Sequence, residues 1–186
     1  IFNTMITFLL LIMCGMSLFD AVNHAFSIVA TGGFSTRNLS IGSYGSPLLE
    51  WVITFCMYMA GINYTLLYLA FRNRSLKYFW KSREFKVYTV VMLAAIVLIT
   101  IDILPQYSYD VMTAVRHSAF HVASVLTTTG FVCADYELWV PAAQILLVLL
   151  MFSGACAGST GGGIKVARVL LLQAAAYFMR QRQEQH

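Results

Sequence analysis

The sequence predicts an all-α integral membrane protein whose two halves are parallel repeats of helix, short re-entrant helix, turn and helix. Three observations carry this expectation. Of 186 residues, 59% are apolar and 11% charged, with a mean hydropathy of +0.73, whereas a soluble domain carries about 25% charged residues. So few charges cannot cover a water-facing surface, and nothing this apolar stays unfolded in water. Lipid is left as the solvent for much of the surface. Second, the charges are sorted. Six of the twelve cations (Arg72, Arg74, Lys77, Lys81, Arg83, Lys86) fall within residues 72–86 beside a single acid, Glu84. Four more, Lys165, Arg168, Arg180 and Arg182, lie toward the end. This is the positive-inside pattern of cytoplasmic flanks; a nucleic-acid partner, which needs a basic face with interleaved polar contacts, is not expected. Third, the halves align without gaps 97 positions apart.

The elements follow in order. Residues 1–17 read as the end of a membrane helix, since the apolar opening is shorter than the ~20 residues a span requires. The first residue is Ile and no signal-peptide cleavage site follows, so the chain is expected to be a piece of a longer membrane protein. Residues 18–30 form a second apolar stretch too short to span. It ends at Thr31-Gly32-Gly33-Phe34-Ser35, and a polar loop follows. An apolar run of spanning length covers 47–71, with Glu50 near its start and Asn63 within it. The basic stretch 72–86 closes it, so the run ends inside and begins outside.

The pattern then recurs. Residues 87–104 span outward, stopped by Asp102 and Pro105. A short helix over 110–126 carries His117 and His121 and ends at Thr127-Thr128-Thr129-Gly130-Phe131. An outer loop with Asp135 and Glu137 leads to a long inward segment over 141–180, interrupted at residues 157–163. Two units result, 1–86 and 87–186. Across them His24 meets His121, Ser27 meets Ser124, Thr31 meets Thr128, Gly33 meets Gly130 and Phe34 meets Phe131. Gly61 meets Gly158 further along. Both units enter from the outer side, which makes them parallel repeats about an axis along the membrane normal, a symmetry known in transport proteins.

A short helix and turn cannot lie bare in lipid, where their free amides and carbonyls find no partner; irregular backbone at that depth sits inside protein or against water. Gly33 and Gly130 can adopt positive φ, which lets successive carbonyls face one way. Rings of such carbonyls replace the hydration shell of a monovalent cation, and the partly negative C-terminal ends of the short helices favour the same charge. The bland alternative is a pair of tight turns between packed helices.

The interruption at 158–163 holds four glycines, Ser159 and Thr160, and glycine costs up to ~1 kcal/mol per residue in a helix. It is not a phosphate-binding loop, because Ile164 separates Gly163 from Lys165 and no strand precedes it. A kinked helix packed on its neighbour is the simple alternative. His117 and His121 have the i, i+4 spacing of metal or haem ligands, without an evident third ligand. Structural hydrogen bonds from His24 and His121 are the competing expectation. Asp20, Asp110, Asp135 and Glu137 lie on the outer side, where they would concentrate cations. Cys14, Cys56, Cys133 and Cys156 share no short spacing, which argues against disulfides or zinc. No Ser/His/Asp set and no paired carboxylates suggest an enzyme.

The segments FDAVNHAFSIVATGGFSTRN, MAGINYTLLY, FHVASVLTTTGFVCADYELW and FSGACAGSTGGGIKVAR resemble the membrane subunit of Trk/Ktr-type bacterial potassium uptake systems, most narrowly its TrkH/TrkG branch. The resemblance implies a potassium-channel-like architecture of helix–re-entrant pore helix–filter loop–helix repeats in the bacterial cytoplasmic (inner) membrane, of which this chain matches the second and third of four. It implies that Thr31, Gly32 and Gly33 line one quarter of the filter and Thr128, Thr129 and Gly130 another, with Phe34 and Phe131 packed behind. It implies that Gly158, Ser159, Thr160, Gly161, Gly162 and Gly163 form an intramembrane gate beneath the filter, with Lys165 facing the inner path. The first unit, with only Gly61 in the matching segment, would make that gate asymmetric. Potassium would be the transported ion, with no cofactor. The implied partners are the missing repeats, a second copy of the full-length subunit, lipid, and a cytoplasmic nucleotide-binding regulatory subunit that meets the inner basic segments. The readings from other classes are a membrane haem or metal protein using His117 and His121, and a non-conducting structural subunit.

Overall fold

A computed structural model describes residues 1–74 and 77–165. Among the described residues eight helices run in chain order: α1 (Phe2–Met13), α2 (Leu18–Val29), α3 (Pro47–Ala60), α4 (Tyr64–Arg72), α5 (Lys77–Lys81), α6 (Arg83–Ile103), α7 (Val111–Leu126) and α8 (Pro141–Phe152). Single turns of 3-10 helix lie at Ser40–Tyr44, Leu104–Tyr107 and Tyr136–Leu138. Among the described residues, Arg83–Tyr107 is long and apolar enough to cross a membrane by itself, with a mean hydropathy of 2.5 over its best window.

The helix starts are chemically marked. Ser17, Ser46, Ser82 and Asp110 each accept a backbone N–H from the first turn of α2, α3, α6 and α7, satisfying donors that have no partner within the helix. Pro47 and Pro141 occupy the first helical position, where a missing N–H costs nothing. The core runs along α7, which packs against α3, α6 and α8, while α2 packs against α1 and α3. Ala114, Phe120, Val122 and Ala123 of α7 are fully buried with Ile53 and Met57 of α3 and Ile99 and Ile103 of α6.

Three boundaries differ from the sequence expectation. The run over 47–71 is not one helix: α3 and α4 meet at 96°. Asn63 stops the helix and restarts it, its side chain accepting Thr65 N–H at 2.8 Å, and a β-carbon at Gly61 would overlap the Tyr88 hydroxyl. The basic stretch 72–86 is partly helical, since α5 lies within it and α6 begins at Arg83 rather than at 87. The interruption of the last segment begins at Ser153, not 157. There the chain leaves the helix to form a two-residue strand, β1 (Ser153–Gly154), paired in parallel with β2 (Ile164–Lys165). Gly154 allows this, because a side chain there would run into the Gly162 carbonyl. The expected helix over 141–180 beyond Lys165 lies outside the described residues.

The candidate filter turns and the loop beneath them

The two short helices end alike. After α2, Thr31 N–H reaches Ile28 O at 3.0 Å and Gly32 N–H reaches Ser27 O at 2.7 Å. After α7, Thr128 N–H reaches Val125 O at 2.9 Å and Thr129 N–H reaches Ser124 O at 2.8 Å. This pair of bonds is the Schellman closure, whose left-handed position is ordinarily glycine. Here Thr31 (φ 51°) and Thr128 (φ 58°) hold it, although a β-branched residue at positive φ is an outlier that costs of order 1–3 kcal/mol. Two residues on, Gly33 (φ 70°) and Gly130 (φ 86°) are left-handed again. The strained step is therefore built twice, 97 residues apart, in the same four-residue pattern.

The turns lie against each other. A β-carbon at Gly33 would overlap the Thr129 carbonyl oxygen, so only glycine permits this approach. Beyond them, Ile41 and Gly42 donate their N–H groups to Val132 O at 3.0 and 3.2 Å, and Ser40 Oγ accepts from Val132 N–H at 3.3 Å. Phe131 is buried and stacks on the His24 ring with centroids 5.7 Å apart. Phe34, expected to pack in the same way, is 82% exposed: none of the described elements reaches it.

The glycine-rich loop 155–163 sits against both turns. Gly162 N–H donates to Thr128 Oγ1 at 2.5 Å, and Thr160 Oγ1 donates to Val29 O, at the end of α2, at 2.9 Å. Gly161 lies so close to Thr127 that an added β-carbon would be 2.9 Å from its carbonyl oxygen. On its other side the loop joins the bend between α3 and α4, where Tyr64 N–H donates to Gly158 O at 3.2 Å and Cys156 N–H to Gly61 O at 3.1 Å. The Glu84 carboxylate accepts the Ala157 N–H. Lys165 does not point freely into a path: its ammonium donates to Gly161 O and to Ser159 Oγ.

The histidines do not form a pair of ligands. His24 Nδ1 donates to Asp20 O at 2.7 Å, which leaves Nε2 to accept from Ser35 Oγ at 2.9 Å. His121 has the same i−4 bond, Nδ1 to His117 O at 2.9 Å, and its Nε2 faces Ala134 O at 3.1 Å. With a carbonyl against each nitrogen, His121 leaves no room for a metal at either. Glu50, His117 and Cys133 do bring ligand-type atoms within 4.8 Å of one another. Arg116 occupies that cluster, with its Nε 2.8 Å from Glu50 Oε2 and a terminal nitrogen 3.5 Å from His117 Nε2. A guanidinium there satisfies the carboxylate and repels a cation.

Three of the four outer acids are structural rather than free. Asp20 is buried and bonds Thr36 Oγ1 at 2.6 Å and Arg37 at 3.3 Å, tying the loop after the first turn back to α2. Asp110 and Asp135 cap the turns that follow them. The Asp110 carboxyl is held below the ordinary carboxylate range by hydrogen bonds from Thr113, then from Met112. Sequence reasoning missed Glu84 and Arg116 as partners. The first stood out as the one acid in a basic stretch, without a sign of what it bonds; the second is 66 residues from Glu50 and carries no local signal.

Short helices that end in left-handed turns, with a small-residue loop packed against both, sit in a helical fold of the membrane-protein class. The family described as TrkH, cation transport protein, matches residues 6–186, and the chain belongs to it. The potassium uptake protein TrkH of Salmonella typhimurium is 40% identical over 159 residues, covering 85% of this chain and 33% of that protein. TrkI of Halomonas elongata, another Trk system potassium uptake protein, is 34% identical over 155 residues, covering 83% of this chain and 31% of its own length. The crystal structure of the potassium transporter TrkH from Vibrio parahaemolyticus superposes with a TM-score of 0.90 at 32% identity, over 99% of this chain and 40% of that one. The chain thus spans about a third of the curated relatives it matches.

Proposed function

We propose that this chain supplies two of the pore-forming units of a Trk-type potassium uptake protein in the bacterial inner membrane, with a transport rather than an enzymatic role. The observation that carries the reading is the doubled turn: Thr31 and Thr128 at positive φ, followed at the same spacing by Gly33 and Gly130, one turn abutting the other. Backbone strain of this kind persists only where the surroundings impose it and commonly marks function. Thr31, Gly32 and Gly33 contribute one part of a carbonyl-lined filter, and Thr128, Thr129 and Gly130 another. Carbonyl oxygens held at fixed spacing replace the water around a dehydrated cation.

The loop 158–163 with Lys165 acts as the gate. Its bonds to Thr128 and to the end of α2 support that role, because a segment there stands between the turns and the inner end of α6. Lys165 steadies the loop from within rather than offering charge to the path. Further repeats of the same polypeptide complete the ring, and a second copy and a cytoplasmic nucleotide-binding subunit are the expected partners of the full-length protein. The relatives' names place them in a system of components. The test is potassium uptake by cells that depend on the full-length protein carrying Gly33→Val. Uptake is expected to vanish while membrane insertion persists; uptake at the unmodified level would overturn the filter assignment.

A further inference from the structure

Ser124 meets the second turn at three points. Its carbonyl oxygen accepts Thr129 N–H at 2.8 Å and Gly130 N–H at 3.3 Å, and its hydroxyl donates to the Phe131 carbonyl at 2.7 Å. Both residues are 1% exposed. The turn is also clasped from below, where the hydroxyls of Thr127 and Thr129 are 2.7 Å apart and Thr127 Oγ1 lies 2.7 Å from Ala123 O.

The first turn shares the carbonyl brace, Gly32 N–H to Ser27 O at 2.7 Å, but has no counterpart, among the described residues, of the bonds that the hydroxyls of Ser124, Thr127 and Thr129 make. Ala30 and Gly32 stand where the second turn has Thr127 and Thr129. The buried Ser27 hydroxyl has no hydrogen-bond partner among the described residues, and the phenylalanine that ends the turn is exposed.

We propose that Ser124 is a positioning residue for ion selection, its hydroxyl holding the Phe131 carbonyl against α7, so that residues 127–131 form a stiff part of the filter and residues 31–35 a compliant one. This rests on the filter reading above. A carbonyl released from Ser124 is a buried acceptor without a donor, a costly state. It turns toward the path, where it adds a misplaced ligand to those that select by spacing and field strength. Ser27 has no such bond to lose.

The experiment compares potassium and sodium flux into vesicles containing the full-length protein. Ser124→Ala is expected to lower the potassium-to-sodium flux ratio about fivefold, a change on the scale of one hydrogen bond. Ser124→Thr, which keeps the hydroxyl, preserves the ratio, and Ser27→Ala changes it far less than Ser124→Ala. If Ser124→Ala fails to insert, Ser124→Cys, close in volume and a weak donor, is read instead with the same expectation. An unchanged ratio in the alanine and cysteine variants, or an equal loss in Ser27→Ala, overturns the proposal. Gly33→Val is measured alongside. If it too leaves flux unaltered, the filter reading has failed; if it abolishes flux while Ser124→Ala changes nothing, only the role of Ser124 has.

Discussion

Gly162 donates its backbone N–H to the Thr128 hydroxyl at 2.5 Å, so the glycine-rich loop is fastened to the residue that turns the chain after α7. Thr128 keeps its left-handed φ of 58° despite its branched side chain, and the hydroxyl on that side chain is what the loop holds. Replacing Thr128 by valine removes the acceptor while leaving the shape. The expected result is a several-fold rise in basal potassium leak through the full-length protein in vesicles, on the scale of one lost hydrogen bond. Thr128→Ser should restore the low leak, and an unchanged leak in Thr128→Val would mean that this bond does not hold the loop.

The two turn glycines should not be equivalent. Gly130 faces open space, so Gly130→Ala meets only the left-handed conformation, worth about 1–2 kcal/mol. At Gly33 the same change also drives a methyl group into the Thr129 carbonyl. Potassium uptake is expected to survive at a reduced rate in Gly130→Ala and to be lost in Gly33→Ala, with both proteins present in the membrane.

Gly61 and Tyr88 give a stability test at the bend between α3 and α4. A β-carbon at Gly61 overlaps the Tyr88 hydroxyl, which itself donates to Tyr58 O at 3.2 Å. Gly61→Ala should destabilise by about 1–3 kcal/mol, the usual cost of overpacking. Adding Tyr88→Phe removes the obstructing oxygen and should recover part of the loss, read as the melting temperature in detergent.

Glu50 and Arg116 form a nearly buried pair, with side-chain exposures of 7% and 15%. Removing one partner of such a pair costs about 3–5 kcal/mol, while replacing both by apolar groups is often neutral. Glu50→Gln should therefore lower the melting temperature more than Glu50→Leu combined with Arg116→Met. Because Arg116 occupies the Glu50, His117 and Cys133 cluster, a chelator should leave the melting temperature unchanged; a drop on chelation would revive a metal at that site.

Asp110 caps α7 as a carboxylate with a lowered pKa. A carboxyl group depressed in the folded state stabilises above its unfolded pKa of about 3.9, and that contribution fades as the pH falls through the folded value. Melting temperatures between pH 6 and pH 3 should thus fall less steeply in Asp110→Asn, which keeps the cap without the titration.

Much of this was legible from local pattern. The last residues of α2 and α7, Val29 and Leu126, stand where the alignment at offset 97 put them, because small turn residues act over three or four positions. The bend at Gly61 was not legible: Asn63 and Gly61 look tolerable in a helix until the Tyr88 hydroxyl, packed from α6, removes the space. The break at Ser153 was placed four residues late because β1 exists only through pairing with β2. Phe34 does not follow its repeat partner Phe131 into burial among the described residues. The ring that buries Phe131 is supplied by a different unit, and no rule of local sequence reports that.

The stacking of Phe131 on His24 also has a direction. It joins unlike surfaces, a histidine from the earlier unit and a phenylalanine from the later one, and a contact of unlike halves propagates head to tail, closing only when the rotation completes a circle. The contact therefore depends on which half comes first in the chain, and exchanging the two halves would part this phenylalanine from its histidine even with both turns intact.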